Sequence, residues 1–451
     1  MTGPTLAATL AAHIVRTAAT PLPAATRSAT ISALLHNLTV GLAAHGMALP
    51  GIAGSRELPW AATAVSVPDR AFATSLRMGA RAQHDEHPRS VTHLGSVVTP
   101  AVLAVAPRDV DGDRVLSALA IGYQVGGVLG GALLPHARAR GMRATGVVGP
   151  MAAAAGVAAV LGLDERATAN AIALAANRAA GYTEVWLVGT DEWRLQTAAA
   201  SRDGVEAALW AAGGARGAAT ALEGRSGLLR ALGADPIDTG QLAAELTGDA
   251  VIEQMLLKAH PVCAINQAAV EIALELRGEL EPFDAASVER VLVRLSDADA
   301  AYPGIDSPQP PTSWPQAMMD ARQGVAVALA AGRVTVAALH PASAEVAHLR
   351  ERIEVEGGLR ASDGRGADAH GAEVSIELRD GRRVRGALDS VRMDAARAAQ
   401  LAVELLPAAG IARSLAMQLP TLVEGVDEAG GMRRLIDALY GIEPWGSLCS
   451  G

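Results

Sequence analysis

Val374-Ser375-Ile376-Glu377-Leu378-Arg379-Asp380-Gly381, closing on Val384, sets apolar and polar residues in turn and ends on Asp-Gly. Alternation with a period of two marks a strand with one buried face, and Asp-Gly adopts the positive backbone angles of a tight hairpin turn. The same alternation returns in Val291–Leu295, and at Ile353 and Val355, which alternate with glutamates. Helical windows at Ala317–Ala331 and near Ala342–Arg352 separate these strands. A small α+β module over residues 276–400 follows from this pattern.

On either side the period changes from two to that of a helix. Leu6, Leu10, Ala11 and Ile14 recur at helical spacing, and Ala29–His45 and Arg114–Leu133 continue as long, weakly polar windows. Pro100, Pro135 and Pro150 punctuate the region and are expected in first turns or at helix ends. Asp164 is placed to cap a helix over Glu165–Ala180, with Gly181 as its stop. After residue 400 the pattern returns to helix through Ala395–Leu405 and Gly430–Tyr440. The expected fold is therefore mainly α. A large all-helical domain is built from both chain ends, 1–275 and 401–451, and a smaller α+β lid domain, 276–400, is inserted. Ligand sites favour the interface between such domains.

Composition narrows the function. The 451 residues are 50% hydrophobic and 19% charged, which allows a large core and excludes a disordered chain. With 47 acidic against 38 basic residues the net charge is −9, the wrong sign for a protein held on a nucleic-acid backbone. Two cysteines, Cys263 and Cys449, exclude a disulfide scaffold and a four-cysteine zinc site. No Lys/Arg-rich segment precedes the first apolar stretch, so no secretory signal is expected. Apolar runs such as Ala152–Leu161 fall short of the ~20 residues that cross a bilayer. A cytoplasmic protein with neither a membrane nor a nucleic-acid partner is expected. Of the 38 basic residues only Lys258 is a lysine.

The densest polar cluster is Gln83-His84-Asp85-Glu86-His87, followed by His93-Leu94-Gly95. Three readings stand: an exposed loop of hydrogen-bonded histidines, an acid/base site, or a metal site on His84, His87 and His93. Histidine titrates near neutrality and a carboxylate fixes its tautomer, which serves the second reading. The spacing matches no strong zinc pattern. Arg143 precedes the small-residue run Met151–Ala159, whose helical N-terminus would favour an anion. Trp186 and Trp193, beside Asp191, Glu192 and Arg194, suit either a core anchor or a pocket wall. Lys258 stands in Leu257-Lys258-Ala259-His260-Pro261-Val262-Cys263. Its ammonium can lose a proton when desolvated, whereas a guanidinium essentially cannot. Cys263 is read as inert.

Taken in order, these motifs resemble the MmgE/PrpD family of 2-methylcitrate dehydratases, cis-aconitate decarboxylases and iminodisuccinate epimerases. The resemblance rests on His84–Gly95 before an apolar helix, Gly141–Gly146, Leu222-Glu223-Gly224 and Lys258–Cys263. It implies a mainly helical large domain, an α+β lid, a homodimer and no cofactor or metal. It also implies site roles for His93 and Lys258. Gln83 stands where the family often has an aspartate, although Asp85 and Glu86 lie nearby. Arg143 replaces a second histidine, and Trp193, Arg194 and Gln196 fall in a segment that has lost a lysine and a histidine.

The expected chemistry is that of a cofactor-independent, dehydratase-type lyase acting on a small carboxylic acid or carbonyl compound. His93 and Lys258 form the acid/base pair, with Asp85 or His87 orienting or substituting. Arg143 can clamp a carboxylate, and Trp193 gives a flat wall for a less charged or bulkier substrate, with Gln83, Arg194 and Gln196 completing the binding set. An epimerase or cyclase could use the same groups, and a non-catalytic ligand-binding or assembly protein could keep the scaffold.

Overall fold

A computed structural model describes residues 3–47, 66–234, 237–360 and 370–439. Cys449 and Tyr440 lie outside the described residues. The chain is a large, mainly helical domain and a smaller α+β domain with a four-stranded sheet. Contacts divide it into two compact units. The first is Met1–Tyr182, Trp193–Leu257 and Asp394–Gly451; the second is Thr183–Glu192 and Lys258–Met393.

The first unit opens with α1 (Leu6–Ala18), α2 (Ala24–Leu42), α3 (Val67–Gly79), α4 (Gly95–Val105), α5 (Gly112–Ala139), α6 (Ala144–Leu161) and α7 (Glu165–Ala176). Leu6, Leu10, Ala11 and Ile14 form the buried face of α1, as their spacing requires. Helix α6 is buried from Ala144 through Val160. Its alanines and glycines let neighbouring backbones come close, so many contacts replace the few large ones that aromatic residues would make.

Three details depart from the sequence reading. Pro100 and Pro150 neither start nor end a helix but lie inside α4 and α6, and Pro135 lies inside α5. A proline in a helix leaves the carbonyl four residues earlier without its amide donor. The Ser75 hydroxyl donates to the Ser96 carbonyl in place of residue 100, and the Ala180 N–H donates to the Gly146 carbonyl in place of residue 150. Next, α7 stops at Ala176 rather than Ala180. Asp164 does cap its start, accepting from the Ala167 N–H at 2.7 Å. The remaining residues turn back so that Ala180 can serve Gly146. Finally, α5 and α6 are 28 and 18 residues long and apolar enough, by length and composition, to cross a membrane. The short runs read from sequence did not anticipate this. Their most apolar windows are 83% and 94% buried inside the protein.

In the second unit the sheet runs β2 (Ile353–Glu356), β1 (Val288–Arg294), β3 (Ala372–Leu378), β4 (Arg383–Leu388), with β1 and β2 parallel and the other pairs antiparallel. Val374, Ile376 and Leu378 face inward on β3, beside Val288, Val291 and Val293 on β1. The Asp-Gly hairpin forms as a three-residue loop instead of a two-residue one. Leu378 donates its N–H to the Arg382 carbonyl, and only Gly381 of the loop takes a positive φ, +87°. One left-handed residue after two ordinary ones is the next most frequent hairpin solution.

The window Ala317–Ala331 divides at Asp320, between helices Trp314–Met319 and Ala321–Ala331. Asp320 caps the second helix and accepts from Arg350 at 2.6 Å, both side chains being buried. Burial raises the Asp320 carboxyl above its usual range against the opposing pull of Arg350. Asp320→Ala should cost about 3–5 kcal/mol, because it strands a buried guanidinium. Denaturant unfolding of the variant should show that loss, while Arg290→Ala, in an exposed pair with Glu354, should leave the unfolding midpoint nearly unchanged.

Candidate functional site

Gln83–His87 lies on irregular backbone between α3 and α4 and is buried throughout. The exposed-loop alternative is therefore overturned, because hydrogen bonds from several elements hold the segment down. Asp85 is the centre of these bonds. Its Oδ1 accepts from the Gly95 N–H at 2.9 Å, at the start of α4. Its Oδ2 accepts from the Tyr123 hydroxyl of α5 at 2.6 Å and from the Asn37 amide of α2 at 3.1 Å. A Cβ at Gly95 would stand 2.2 Å from Asn37 Nδ2 and 2.4 Å from Asp85 Oδ2, so only glycine fits at this crossing. Burial, followed by the Asp85 charge, holds the Tyr123 hydroxyl well above its usual range, and it stays protonated as a donor.

Two further attachments bracket His93. Glu86 exchanges backbone hydrogen bonds with Leu256 at 2.9 and 2.8 Å. The His93 N–H donates to Thr145 Oγ1 at 3.1 Å, in the first turn of α6. The sequence Gly141–Gly146 serves this entry: Gly141 turns the chain at φ +63°, and a Cβ at Gly146 would lie 2.1 Å from the Ala180 carbonyl that closes over it.

The His93 imidazole has a defined orientation. Its Nδ1 lies 2.9 Å from the Asp85 backbone carbonyl. A carbonyl oxygen only accepts, so Nδ1 carries the proton and the neutral ring keeps its basic lone pair on Nε2. Asp85 thus orients His93 through its backbone, while its carboxylate is occupied with Gly95, Tyr123 and Asn37. Glu86 Oε2 lies 3.6 Å from the same Nδ1. The buried His84 ring meets His93 edge-on, with centroids 4.1 Å apart and planes at 78°. On a second side His84 lies nearly parallel to Trp193, at 6.3 Å and 18°.

His87 has a different set of partners. Its Nδ1 meets Ser90 Oγ at 2.7 Å, and Ser90 in turn meets Thr92. Burial pushes its imidazole down to about 4, with a hydrogen bond to Gln254 opposing it and Arg89 adding to the effect. Among the described residues no group of three or more His, Cys, Asp or Glu side chains is set to hold a metal ion. The metal alternative on His84, His87 and His93 is not assembled.

The expected binding residues are largely tied to one another. Trp193 is fully buried on the helix Glu192–Ala212, with the Arg194 guanidinium 4.5 Å above its ring. Arg194 donates from Nε and Nη2 to the Ala80 carbonyl, each at 3.3 Å. Arg143 donates from Nη1 to the Trp193 carbonyl at 2.5 Å and meets Gln196 Oε1 at 3.5 Å. Gln196 donates onward to the Tyr182 carbonyl at 3.1 Å. Gln83 Oε1 accepts from Arg81 Nε at 3.2 Å.

Lys258 is the first residue of the second unit's longer segment and is buried. The chain after it is latched by one side chain. Gln267 accepts from the His260 N–H at 3.1 Å and donates to the His260 and Val262 carbonyls at 2.9 and 3.2 Å. His260 Nε2 lies 3.0 Å from Glu271, and the Cys263 N–H donates to the Met318 carbonyl. Trp186 is buried in this unit as well.

Asn37, Tyr123 and Thr145 were not singled out as site residues from sequence. Each left a faint trace: a polar side chain inside an apolar helical window, or a threonine within the glycine motif.

A buried cluster of histidines and carboxylates lies in the helical unit, and the second unit is α+β. The chain matches the MmgE/PrpD N-terminal domain over residues 8–239 and the MmgE/PrpD C-terminal domain over residues 260–399. It belongs to the MmgE/PrpD family, which is associated with acid/base chemistry on small molecules. A comparison with curated proteins finds no match.

Two outcomes follow from the site. Tyr123→Phe should cost about 1–3 kcal/mol, since the buried Asp85 carboxylate loses a donor; denaturant midpoints at constant slope measure it. His87 enters the fold neutral, so the unfolded chain alone takes up its proton below the ordinary histidine value of 6.5. Stability present above pH 6.5 should fall by about 3 kcal/mol on the way to pH 4. His87→Gln should flatten that part of the stability–pH curve.

Proposed function

We propose that the protein is a lyase of the dehydratase type that works by acid/base proton transfer on a small carboxylic acid or carbonyl compound. The observation that carries this reading is His93, whose Nδ1–H on the Asp85 carbonyl leaves Nε2 as a base of fixed direction. Glu86, 3.6 Å from Nδ1, stabilises the imidazolium that forms once a proton is taken. Lys258 supplies the second group, protonating the departing oxygen or stabilising the enolate. Leu256, bonded to Glu86 in both directions, stands two residues before it, and chain continuity supports the pairing. Trp193, where family members carry a cation, favours a substrate with less negative charge than a tricarboxylate.

The chemistry is tested by incubating the protein with candidate acids in deuterated water. A dehydratase-type reaction forms a carbon–carbon double bond as water leaves, and solvent deuterium enters the substrate by reversal. Deuterium uptake with inversion at one carbon and no loss of water or carbon dioxide would replace the lyase with an epimerase. His93→Ala should lower kcat by about 10²–10⁴, the range that general acid–base catalysis contributes. Lys258→Arg should fail to restore activity, because it keeps the charge but not the exchangeable proton. Turnover near wild type in that variant refutes a proton-transfer role for Lys258.

A further inference from the structure

The mechanism above uses one histidine, yet a second imidazole lies against it. Between the His84 and His93 rings the centroid distance is 4.1 Å, and His84 is buried on the same segment, one residue before Asp85. Two imidazolium ions at this separation repel strongly in a site from which water is largely excluded, so the rings cannot both hold a charge near neutral pH. The charged groups on the surrounding elements of the first unit fix which ring takes the proton. Glu86 is 3.6 Å from His93 Nδ1 and favours a cation there. Arg194, 4.5 Å above the Trp193 ring that stacks on His84, Arg143 on the Trp193 carbonyl, and Arg81 on Gln83 add positive charge around His84. Asp85 spends its carboxylate on Gly95, Tyr123 and Asn37, and His87 is held neutral by burial.

We infer that His84 and His93 form a coupled pair that can take up only a single added proton between them, with His93 as the member that becomes charged and His84 as the positioning residue that stays neutral. His84 then has two tasks. Its ring fixes the plane of His93 by edge contact, and its neutrality leaves His93 alone to gain the proton taken from substrate. In the dehydration step one proton moves from a substrate carbon to His93 Nε2 as the carbon–carbon double bond forms, the departing hydroxyl takes a proton from Lys258 and leaves as water, and His84 neither gains nor loses one. The catalytic part of this inference rests on the acid/base reading above. The titration itself needs no substrate, so the two can fail separately.

The test is nuclear magnetic resonance of histidine-labelled full-length protein without ligand, followed from pH 4 to 9 in wild type, His93→Gln and His84→Phe. In wild type the pair should titrate in two steps separated by more than about one pH unit. In His93→Gln the His84 midpoint should rise by about one unit or more, because its charged neighbour is gone. In His84→Phe the His93 signal should titrate in a single step. A His84 midpoint that does not move when His93 is replaced overturns the coupling, as does a silent His84 in both proteins. Should His84→Phe fail to fold, as judged by thermal unfolding, the His93→Gln shift alone decides.

Discussion

One carboxylate organises the candidate site. Asp85 draws together a tyrosine from α5, an asparagine from α2 and the first amide of α4, three elements far apart in sequence. A buried charge is tolerable only when its lone pairs are met, and here each oxygen has a donor. The consequence is geometric. With its side chain pinned on three sides, Asp85 cannot swing, so its backbone carbonyl presents a fixed acceptor to His93. The tautomer of the base is thereby set by a residue whose own charge is directed elsewhere.

The helical framework is arranged to hold that crossing. α4 and α6 each carry an internal proline, and each exposed carbonyl is repaired by a donor from outside the helix, Ser75 for one and Ala180 for the other. These repairs are also ties. Ser75 fastens α3 to the start of α4, one residue beyond Asp85's amide donor. Ala180 fastens the turn after α7 to the first turn of α6, next to the threonine that receives the His93 N–H. Small side chains along α6 permit these close approaches, which explains why a chain so poor in aromatic residues still encloses a polar cluster this completely.

Much of the fold was legible because period and punctuation are local. The strand alternation at Val374–Leu378, the apolar stripe of α1 and the Asp164 cap all read directly from neighbouring residues. Features that depended on distant partners did not. Nothing near Pro100 or Pro150 announces Ser75 or Ala180, so both prolines looked like helix ends. The histidine cluster was legible as a cluster, but its burial was not, since the donors to Asp85 lie 48 residues before it and 38 after. His93 was singled out by its motif; Asn37, Tyr123 and Thr145, which settle its geometry, were hidden among helix-forming neighbours. Glu86 and His84 stood in plain view, yet which of five polar residues faces the base is a matter of side-chain direction that spacing alone does not encode.

The replacements that distinguish this chain also act together. Arg143, Trp193, Arg194 and Gln196 form one bonded group, in which Arg143 holds the Trp193 carbonyl and Gln196, and Arg194 covers the indole and holds Ala80. A cation already engaged by backbone carbonyls has fewer donors left for a substrate carboxylate, and an indole offers surface but no charge. The group therefore sets a rigid apolar wall behind His84, with its cations tied to backbone carbonyls. In surroundings that dry, the attraction between Glu86 and a protonated His93 is stronger than it would be in water, and so is the repulsion that a second cation would meet. The arginines that hold the indole also keep positive charge beside His84, so the group that builds the wall disfavours a second cation there, in keeping with the single-proton pair proposed above.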